Sequence, residues 1–273
     1  MRNLPVVLTI AGSDNCAGAG IQADLKTMSA LGVYGVTAIT CVVAEVPGKV
    51  TAIQPIEPRV VAEQIRLLFE AFPIAAIKTG MLYSREIIAT VCEVLEEQFE
   101  RAGPRPFLVV DPVMVATSGD PLLLPDAVAL YRDRLFPLAG LITPNLDEVQ
   151  TLTGCEISSM AELRAAGDRL VTEHGTAFLL KGGHLREATA TDLLLGPGLD
   201  REFSAPFVEG VSTHGTGCTY AAAIAAGMGF GLALPEAVAQ AKAFVTRAIT
   251  NFLEWPGKDG ATHALHHFAG KSG

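Results

Sequence analysis

The strongest chemical signal in the chain is Thr213-His214-Gly215-Thr216-Gly217-Cys218-Thr219, which runs into an Ala-rich stretch. Glycines let backbone N–H groups turn toward a ligand without a Cβ in the way. A helix start adds donors without intrahelical partners and a partial positive charge. Gly215, Thr216 and Gly217 would then form an anion hole suited to phosphate, with Thr213 beside it. The same pattern also reads as a tight turn before a packed helix. It is not a Walker loop, because no Gly-Lys-Ser/Thr follows at the required spacing. Cys218 sits at that helix start, where a thiol is expected to have a lowered pKa. Its thiolate would accept a hydroxyl proton as a general base; the plainer alternative is packing as a small hydrophobe. Cys16, Cys41, Cys92 and Cys155 lack such a context and read as structural.

Other candidates directly follow apolar runs. Asp111 ends one run, and Asn145-Leu146-Asp147-Glu148 follows another. Carboxylates at neighbouring strand ends suit Mg²⁺, which takes one or two carboxylates together with substrate phosphates. Glu148 equally suits a helix start as a charge favouring the dipole. Lys181, followed by Gly182-Gly183, can meet a phosphate as a point charge, or simply be solvated. Gly12-Ser13-Asp14-Asn15-Cys16-Ala17-Gly18-Ala19-Gly20 lacks the third glycine of a dinucleotide fingerprint. It reads as a close wall for a small substrate, with Asp24 as a polar partner or as a favourable helix-start charge. His263, His266 and His267 form a faint metal pattern in a stretch that reads as a solvated tail.

The elements that must carry these residues alternate. Strands are expected over residues 6–11, 36–43, 74–77, 107–110, 141–143 and 178–180, with an antiparallel edge over 191–195 and 202–207. Helical stripes lie between them, such as Ile21, Leu25, Met28 and Leu31, or Val61, Ile65, Leu68 and Phe72. Ser159 and Glu162 have the spacing of a capping box. The last third is helical over 217–229 and 235–253. Strand–helix alternation with nearly continuous apolar strands implies an α/β fold with a mostly parallel sheet covered on both faces. Ligands of open α/β sheets bind beyond the carboxyl ends of the strands, so the polar residues gathered there should share one site.

The chain has 273 residues, 49% of them apolar and 18% charged, which is the composition of a folded globular chain. One domain is expected over residues 1–255, with a flexible tail over 256–273. A net charge of −9 makes a poor non-specific nucleic-acid binder. No membrane span is expected, since the longest apolar run is short and rich in Ala and Gly. Five cysteines without regular spacing argue against a disulfide framework and for a reducing, cytoplasmic setting.

Several segments in order carry a resemblance. They are Ala11-Gly12-Ser13-Asp14, Gly18-Ala19-Gly20-Ile21-Gln22-Ala23-Asp24, Lys78-Thr79-Gly80-Met81-Leu82, Val110-Asp111-Pro112-Val113-Met114, Ser118-Gly119-Asp120, Thr143-Pro144-Asn145-Leu146, Lys181-Gly182-Gly183-His184 and the 213–219 segment. Together they resemble the hydroxymethylpyrimidine/phosphomethylpyrimidine kinases of thiamine biosynthesis, in the ribokinase-like superfamily, over residues 6–252. The resemblance implies a three-layer α/β/α sandwich. It implies two successive ATP-dependent phosphorylations, of an aminopyrimidine hydroxymethyl group and then of its monophosphate. It also implies a pyrimidine pocket of Gly12, Asp24, Met81, Val113 and Cys218. Mg²⁺ and phosphate would lie at Asn145 and Glu148 with Asp111 nearby, ATP phosphates at Lys181, an anion hole at Gly215–Cys218, and the protein would be a homodimer. Cys218 stands where sugar kinases of the superfamily carry Asp, which points toward vitamin-precursor kinases. Two departures stand out. Glu45 occupies the place of a family Gln that pairs with the aminopyrimidine edge, and a carboxylate there only accepts. Thr117 stands where the family usually has Lys. Pyridoxal or pyridoxine kinase is the nearest alternative, and a non-catalytic ligand-binding relative is another. Residues 44–51 and 116–122 are the candidate lids.

Overall fold

Nearly every apolar run becomes a strand of a single nine-stranded sheet. The computed structural model describes residues 4–101, 103–114, 125–183, 189–209, 214–257 and 260–270. The strands are β1 (Val6–Asp14), β2 (Tyr34–Val46), β3 (Lys49–Pro55), β4 (Ile74–Thr79), β5 (Phe107–Val110), β6 (Leu141–Ile142), β7 (Ala177–Lys181), β8 (Thr189–Gly196) and β9 (Leu199–Pro206). Their order is β3-β2-β1-β4-β5-β6-β7-β8-β9. The strands from β2 to β7 in that order are mutually parallel. β3 closes one edge antiparallel to β2, and β8 and β9 close the other. The chain leaves β1 toward β2 and later returns to β4 on its other side, so the strand order reverses at the β1/β4 boundary. A crevice opens at such a reversal.

The helices are α1 (Gly20–Leu31), α2 (Pro58–Ala71), α3 (Arg85–Phe99), α4 (Pro125–Leu130), α5 (Leu146–Thr153), α6 (Met160–His174), α7 (Thr216–Gly229) and α8 (Leu234–Thr250). Alternate residues of each strand serve opposite faces. Leu8, Ile10, Leu108, Val110, Phe178 and Leu180 meet α2 to α6. Val7, Val109 and Leu179 meet α1, α7 and α8. This is the expected α/β/α sandwich. Residues 221 to 226 of α7 are Ala or Ile and each is at most 2% exposed, so this narrow helix lies close to the sheet.

Local chemistry sets the boundaries. Gly32 ends α1 at φ 83°, a left-handed cap that alanine would strain. Asn145 and Glu148 form a reciprocal capping box on α5. At α6 only half of the expected box exists. Ser159 Oγ accepts from Glu162 N–H, while the Glu162 carboxylate accepts from Ser158 N–H and Oγ.

Three expectations are corrected. β2 runs on to Val46 and turns at Pro47-Gly48 into β3, so residues 44–51 are largely a hairpin. Gly48 has φ 80°, which suits the tight turn. α8 stops at Thr250, and β10 (Leu253–Gly257) pairs with β11 (Gly260–Ala264). The tail does not lie free. Leu265, His267 and Ala269 are buried, His266 N–H donates to Ala248 O, and Arg247 Nε donates to Ala269 O. The apolar Leu265 and Ala269 give this stretch a face to bury. The second candidate lid, residues 116–122, lies outside the described residues.

Candidate active site

The carboxyl ends of β1, β2, β4, β5, β6 and β7 and the start of α7 enclose a cavity of about 630 Å³. Gly12, Glu45, Met81, Val113, Asp111, Asn145, Glu148, Lys181 and residues 215–218 all line it. Sequence reasoning thus placed nearly all of its candidates on one wall or another of a single site. Thr213 lies outside the described residues.

Two glycine loops make the floor. Gly215 caps α7 at φ 80° and ψ 3°, and a Cβ there would fall 1.7 Å from Gly18 O. Gly20, at φ 58°, opens α1, and a Cβ there would fall 2.5 Å from Gly12 O. The loops before α1 and α7 therefore interlock through bare backbone. The first α7 bond is Thr219 N–H to Gly215 O at 2.9 Å, which leaves the preceding N–H groups for a ligand. Thr216 Oγ1 is buried with no partner among the described residues. A Cβ on Gly217 would lie 3.2 Å from Lys181 Nζ and 3.6 Å from Asp111 Oδ2, so the cradle faces the charged groups at close range. An orphaned hydroxyl, free N–H groups and a lysine together suit a phosphate.

Lys181 Nζ pairs with Asp111 Oδ1 at 2.9 Å, and Thr143 Oγ1 donates to the same oxygen at 3.1 Å. Burial disfavours the Lys181 charge, but Asp111 and Glu148 outweigh it and hold the ammonium above its usual range. Glu148 is 2% exposed. Burial pushes its carboxyl up to about 8, with Lys181 pulling down and Asp111 pushing up. One Glu148 oxygen accepts from Asn145 N–H at 2.8 Å, and Asn145 Oδ1 accepts from Glu148 N–H at 3.0 Å. The Asn145 amide oxygen is thus engaged in the α5 cap. Two carboxylates crowded in low dielectric are hard oxygen donors in need of a cation, so Asp111 and Glu148 fit Mg²⁺.

The expected lowering of the Cys218 pKa is corrected. Its thiol is pushed up to about 11, chiefly by burial, with Asp24 and Asp111 adding to the rise and Lys78 opposing it. With burial dominant, the resting group near pH 7 is a thiol.

Asp24 is corrected as well. It is fully buried and does not line the cavity. Lys78 Nζ lies 3.0 and 2.9 Å from its two oxygens, and Thr9 Oγ1 donates to it at 2.6 Å. Burial disfavours the Lys78 charge, and Asp24 leads the groups that hold it protonated above its usual range. Gly80 leaves room for this ammonium, since a Cβ there would fall 2.7 Å from Nζ. The signal available in the sequence was a lysine inside an otherwise apolar strand, which requires a buried partner.

Glu45 faces the cavity. Its N–H donates to Asn15 Oδ1 at 2.6 Å. Burial raises its pKa, Asp14 adds to the rise and His214 opposes it. The wall beside it was not anticipated. His214 Nε2 lies 3.3 Å from Asp14 Oδ2. Burial alone would raise Asp14, but hydrogen bonds from His214, Cys16 and backbone N–H groups hold it well below the usual carboxylate range. At the far end, Lys242 Nζ pairs with buried Asp192 at 2.6 Å, near the apolar Phe207, Val208, Val245 and Ile249.

A parallel sheet whose strand ends carry Asp111, Asn145 and Lys181 against a glycine-opened helix defines a small-molecule kinase of the ribokinase-like α/β/α class. The sequence matches the family described as phosphomethylpyrimidine kinase over residues 14–263, and the chain belongs to that family. It is 44% identical over 266 residues to the hydroxymethylpyrimidine/phosphomethylpyrimidine kinase of Rhizobium meliloti (strain 1021), covering 96% of this chain and 98% of that one. Among solved structures, an ADP complex of Bacillus subtilis pyridoxal kinase superimposes with a TM-score of 0.86 at 31% identity, covering 97% of this chain and 98% of that one. Phosphomethylpyrimidine kinase of Clostridium difficile 630 gives 0.78 at 38% identity, covering 89% and 99%.

Proposed function

We propose that the protein phosphorylates 4-amino-5-hydroxymethyl-2-methylpyrimidine with ATP and then converts the monophosphate to the diphosphate. The observation that carries this is the meeting, in one cavity, of the residue 215–218 cradle, the Lys181–Asp111 pair and the Gly12, Glu45, Met81 and Val113 wall. The ring would lie between Met81 and Val113, with its hydroxymethyl group toward Cys218 and the cradle. The apolar end near Phe207 and Val245 suits the nucleotide base. Phosphoryl transfer needs positioning and charge neutralisation above all. Lys181 and the α7 N–H groups would hold the migrating group, and Thr216 Oγ1 would donate to it. Mg²⁺ held by Asp111 and Glu148 would neutralise phosphate charge. Cys218 would contact the hydroxymethyl oxygen as a thiol, placing it for attack.

Glu45 is compatible with this substrate. Burial and Asp14 raise the Glu45 pKa and so ease its protonation, and the protonated carboxyl would both donate and accept as an amide does. It would pair with the ring nitrogen and the exocyclic amine.

A second function is favoured by a specific likeness. The superposition on pyridoxal kinase, and Glu45 in place of Gln, support phosphorylation of pyridoxal at the same site. ADP release measured with the pyrimidine, its monophosphate and pyridoxal in parallel separates the two. Turnover of both pyrimidines supports the first assignment. Turnover of pyridoxal alone assigns the second, and no turnover of any refutes both.

A cytoplasmic setting is supported by five free cysteines. Among the described residues no helix is long and apolar enough to cross a membrane. A homodimer is supported by the exposed Val42 and Val46 on the β2–β3 edge, and light scattering would measure its mass.

A further inference from the structure

Three residues outside the phosphate machinery converge at the mouth of the cavity. Asp14 ends β1, Cys16 follows in the next turn, and His214 precedes α7. Cys16 Sγ and His214 Nε2 each lie 3.3 Å from the same oxygen, Asp14 Oδ2. All three ligand atoms lie within 4.8 Å of one another. We propose that Asp14, Cys16 and His214 form a binding site for a borderline transition-metal ion, Zn²⁺ foremost, whose occupancy inhibits the kinase.

Both separations from Asp14 Oδ2 suit a tetrahedral ion. Zinc bonds of about 2.3 Å to sulfur and about 2.0–2.1 Å to nitrogen and oxygen place neighbouring ligands roughly 3.3–3.5 Å apart. The distances of Cys16 Sγ and His214 Nε2 from Asp14 Oδ2 fall at the short end of that range. At present the Cys16 thiol and the His214 ring both converge on one carboxylate oxygen. A single divalent cation can take the place of the hydrogens between them. Cys16 gives up its thiol proton, the hydrogen on His214 Nε2 moves to Nδ1 in the neutral ring or leaves to solvent from the imidazolium, and Asp14 is already a carboxylate. No oxidant or reductant is needed.

The ligands are also preoriented. Asp14 Oδ2 accepts from Gly18 N–H at 3.0 Å and Ala19 N–H at 2.7 Å, and Oδ1 accepts from Cys16 N–H at 2.7 Å. Outer hydrogen bonds of this kind fix a metal-binding carboxylate. The His214 ring packs on bare Gly18, where a Cβ would fall 2.7 Å from Cδ2. Glu45 interacts electrostatically with Asp14, Cys16 and His214 but lies outside this group of mutually close ligand atoms, so water would take the fourth position. One sulfur, one nitrogen and one oxygen select zinc over magnesium, which prefers oxygens alone. The site is thereby separate from Asp111 and Glu148. Asp14, His214 and Glu45 line the substrate cavity, whereas Cys16 does not. An ion there would set a positive charge beside Glu45 on the substrate wall and tie the loop before α1 to the residue before α7.

The binding arm of the test needs no assumption about the substrate, and the inhibition arm rests on the proposed kinase activity. Zn²⁺ alone is titrated into the apo protein against a chromogenic chelator, with proton release followed in weak buffer. One ion should bind, and Cys16→Ser should weaken it by more than the roughly 10–100-fold loss that follows removal of an outer partner of a ligand. Cys16→Ser should also release about one proton fewer per ion. Its zinc-free turnover should match the parent, and its inhibition by Zn²⁺ should disappear. His214→Gln should weaken Zn²⁺ binding likewise, while Cys218→Ser should leave it unchanged. Equal Zn²⁺ affinity in Cys16→Ser and the parent, or a parent that binds no Zn²⁺ at micromolar concentration, overturns the proposal.

Discussion

Replacing Gly215 by alanine tests the cradle most directly. The residue sits at φ 80°, where an L side chain costs about 1–2 kcal/mol. The larger effect is steric. The new Cβ would lie 1.7 Å from Gly18 O and 2.6 Å from Gly18 C, both backbone atoms that cannot rotate away. To reach an ordinary contact of 3.4 Å the two loops must part by roughly 1.7 Å. A displacement of about 1 Å at reacting groups costs on the order of 100-fold in rate. Loss of one oxyanion donor costs a similar amount, about 2.7–4 kcal/mol. Gly215→Ala should therefore lower kcat at least about 100-fold, with a loss of stability of a few kcal/mol at most. Gly175→Ala is the control. It has φ 66° at the end of α6 with open space around it, so it should cost about 1 kcal/mol and leave kcat unchanged. Steady-state ADP release and urea unfolding on both variants give the two quantities. A Gly215→Ala enzyme that keeps kcat within about threefold of the parent would refute the assignment of these N–H groups to the phosphoryl group.

Other expectations follow from the buried groups. Cys218→Ser should hold the first phosphorylation within about tenfold of the parent, because a thiol with pKa about 11 supplies almost no thiolate at pH 7; a loss beyond about 100-fold would restore it as the base. Lys78→Met should destabilise the fold by about 3–5 kcal/mol by leaving Asp24 unpaired, and adding Asp24→Asn should recover part of that in urea unfolding. No recovery in the double variant would mean that the pair is not the source of the loss. His267 is held neutral, chiefly by burial, with its pKa lowered to about 4 from 6.5. Below pH 6.5 the unfolded chain takes up a proton that the folded chain refuses, so stability falls between about pH 6.5 and 4, by roughly 3 kcal/mol in full. His267→Gln should flatten that slope in thermal melts, and an unchanged slope would assign it to other groups.

The sheet and the rim were legible because polar residues follow apolar runs at Asp111, Asn145 and Lys181. Such residues sit at strand ends whatever the tertiary detail. β3 was not legible, since it is an edge strand exposed along most of its length and carries no clear alternation. The packed tail was hidden for a related reason, because its small and polar residues acquire a buried face only once α7 and α8 exist. The sign of the Cys218 shift could not be read locally either. A sequence shows the helix start, whereas Asp24 comes from α1 and Asp111 from β5. For Asp24 itself, an acid near the start of α1 looks like a dipole charge until Lys78, 54 residues later, is folded against it.

The docked tail also orders events during synthesis. His267 Nε2 lies 3.0 Å from Thr219 Oγ1, in the first turn of α7 and one residue beyond Cys218. Leu265 and Ala269 are buried on either side of it. Everything they brace is translated earlier. While residues 265–269 are still inside the ribosome tunnel, α7 lacks the Thr219–His267 contact at its first turn. A nascent chain that already holds Asp111 and Lys181 therefore still lacks the His267 brace behind its anion hole.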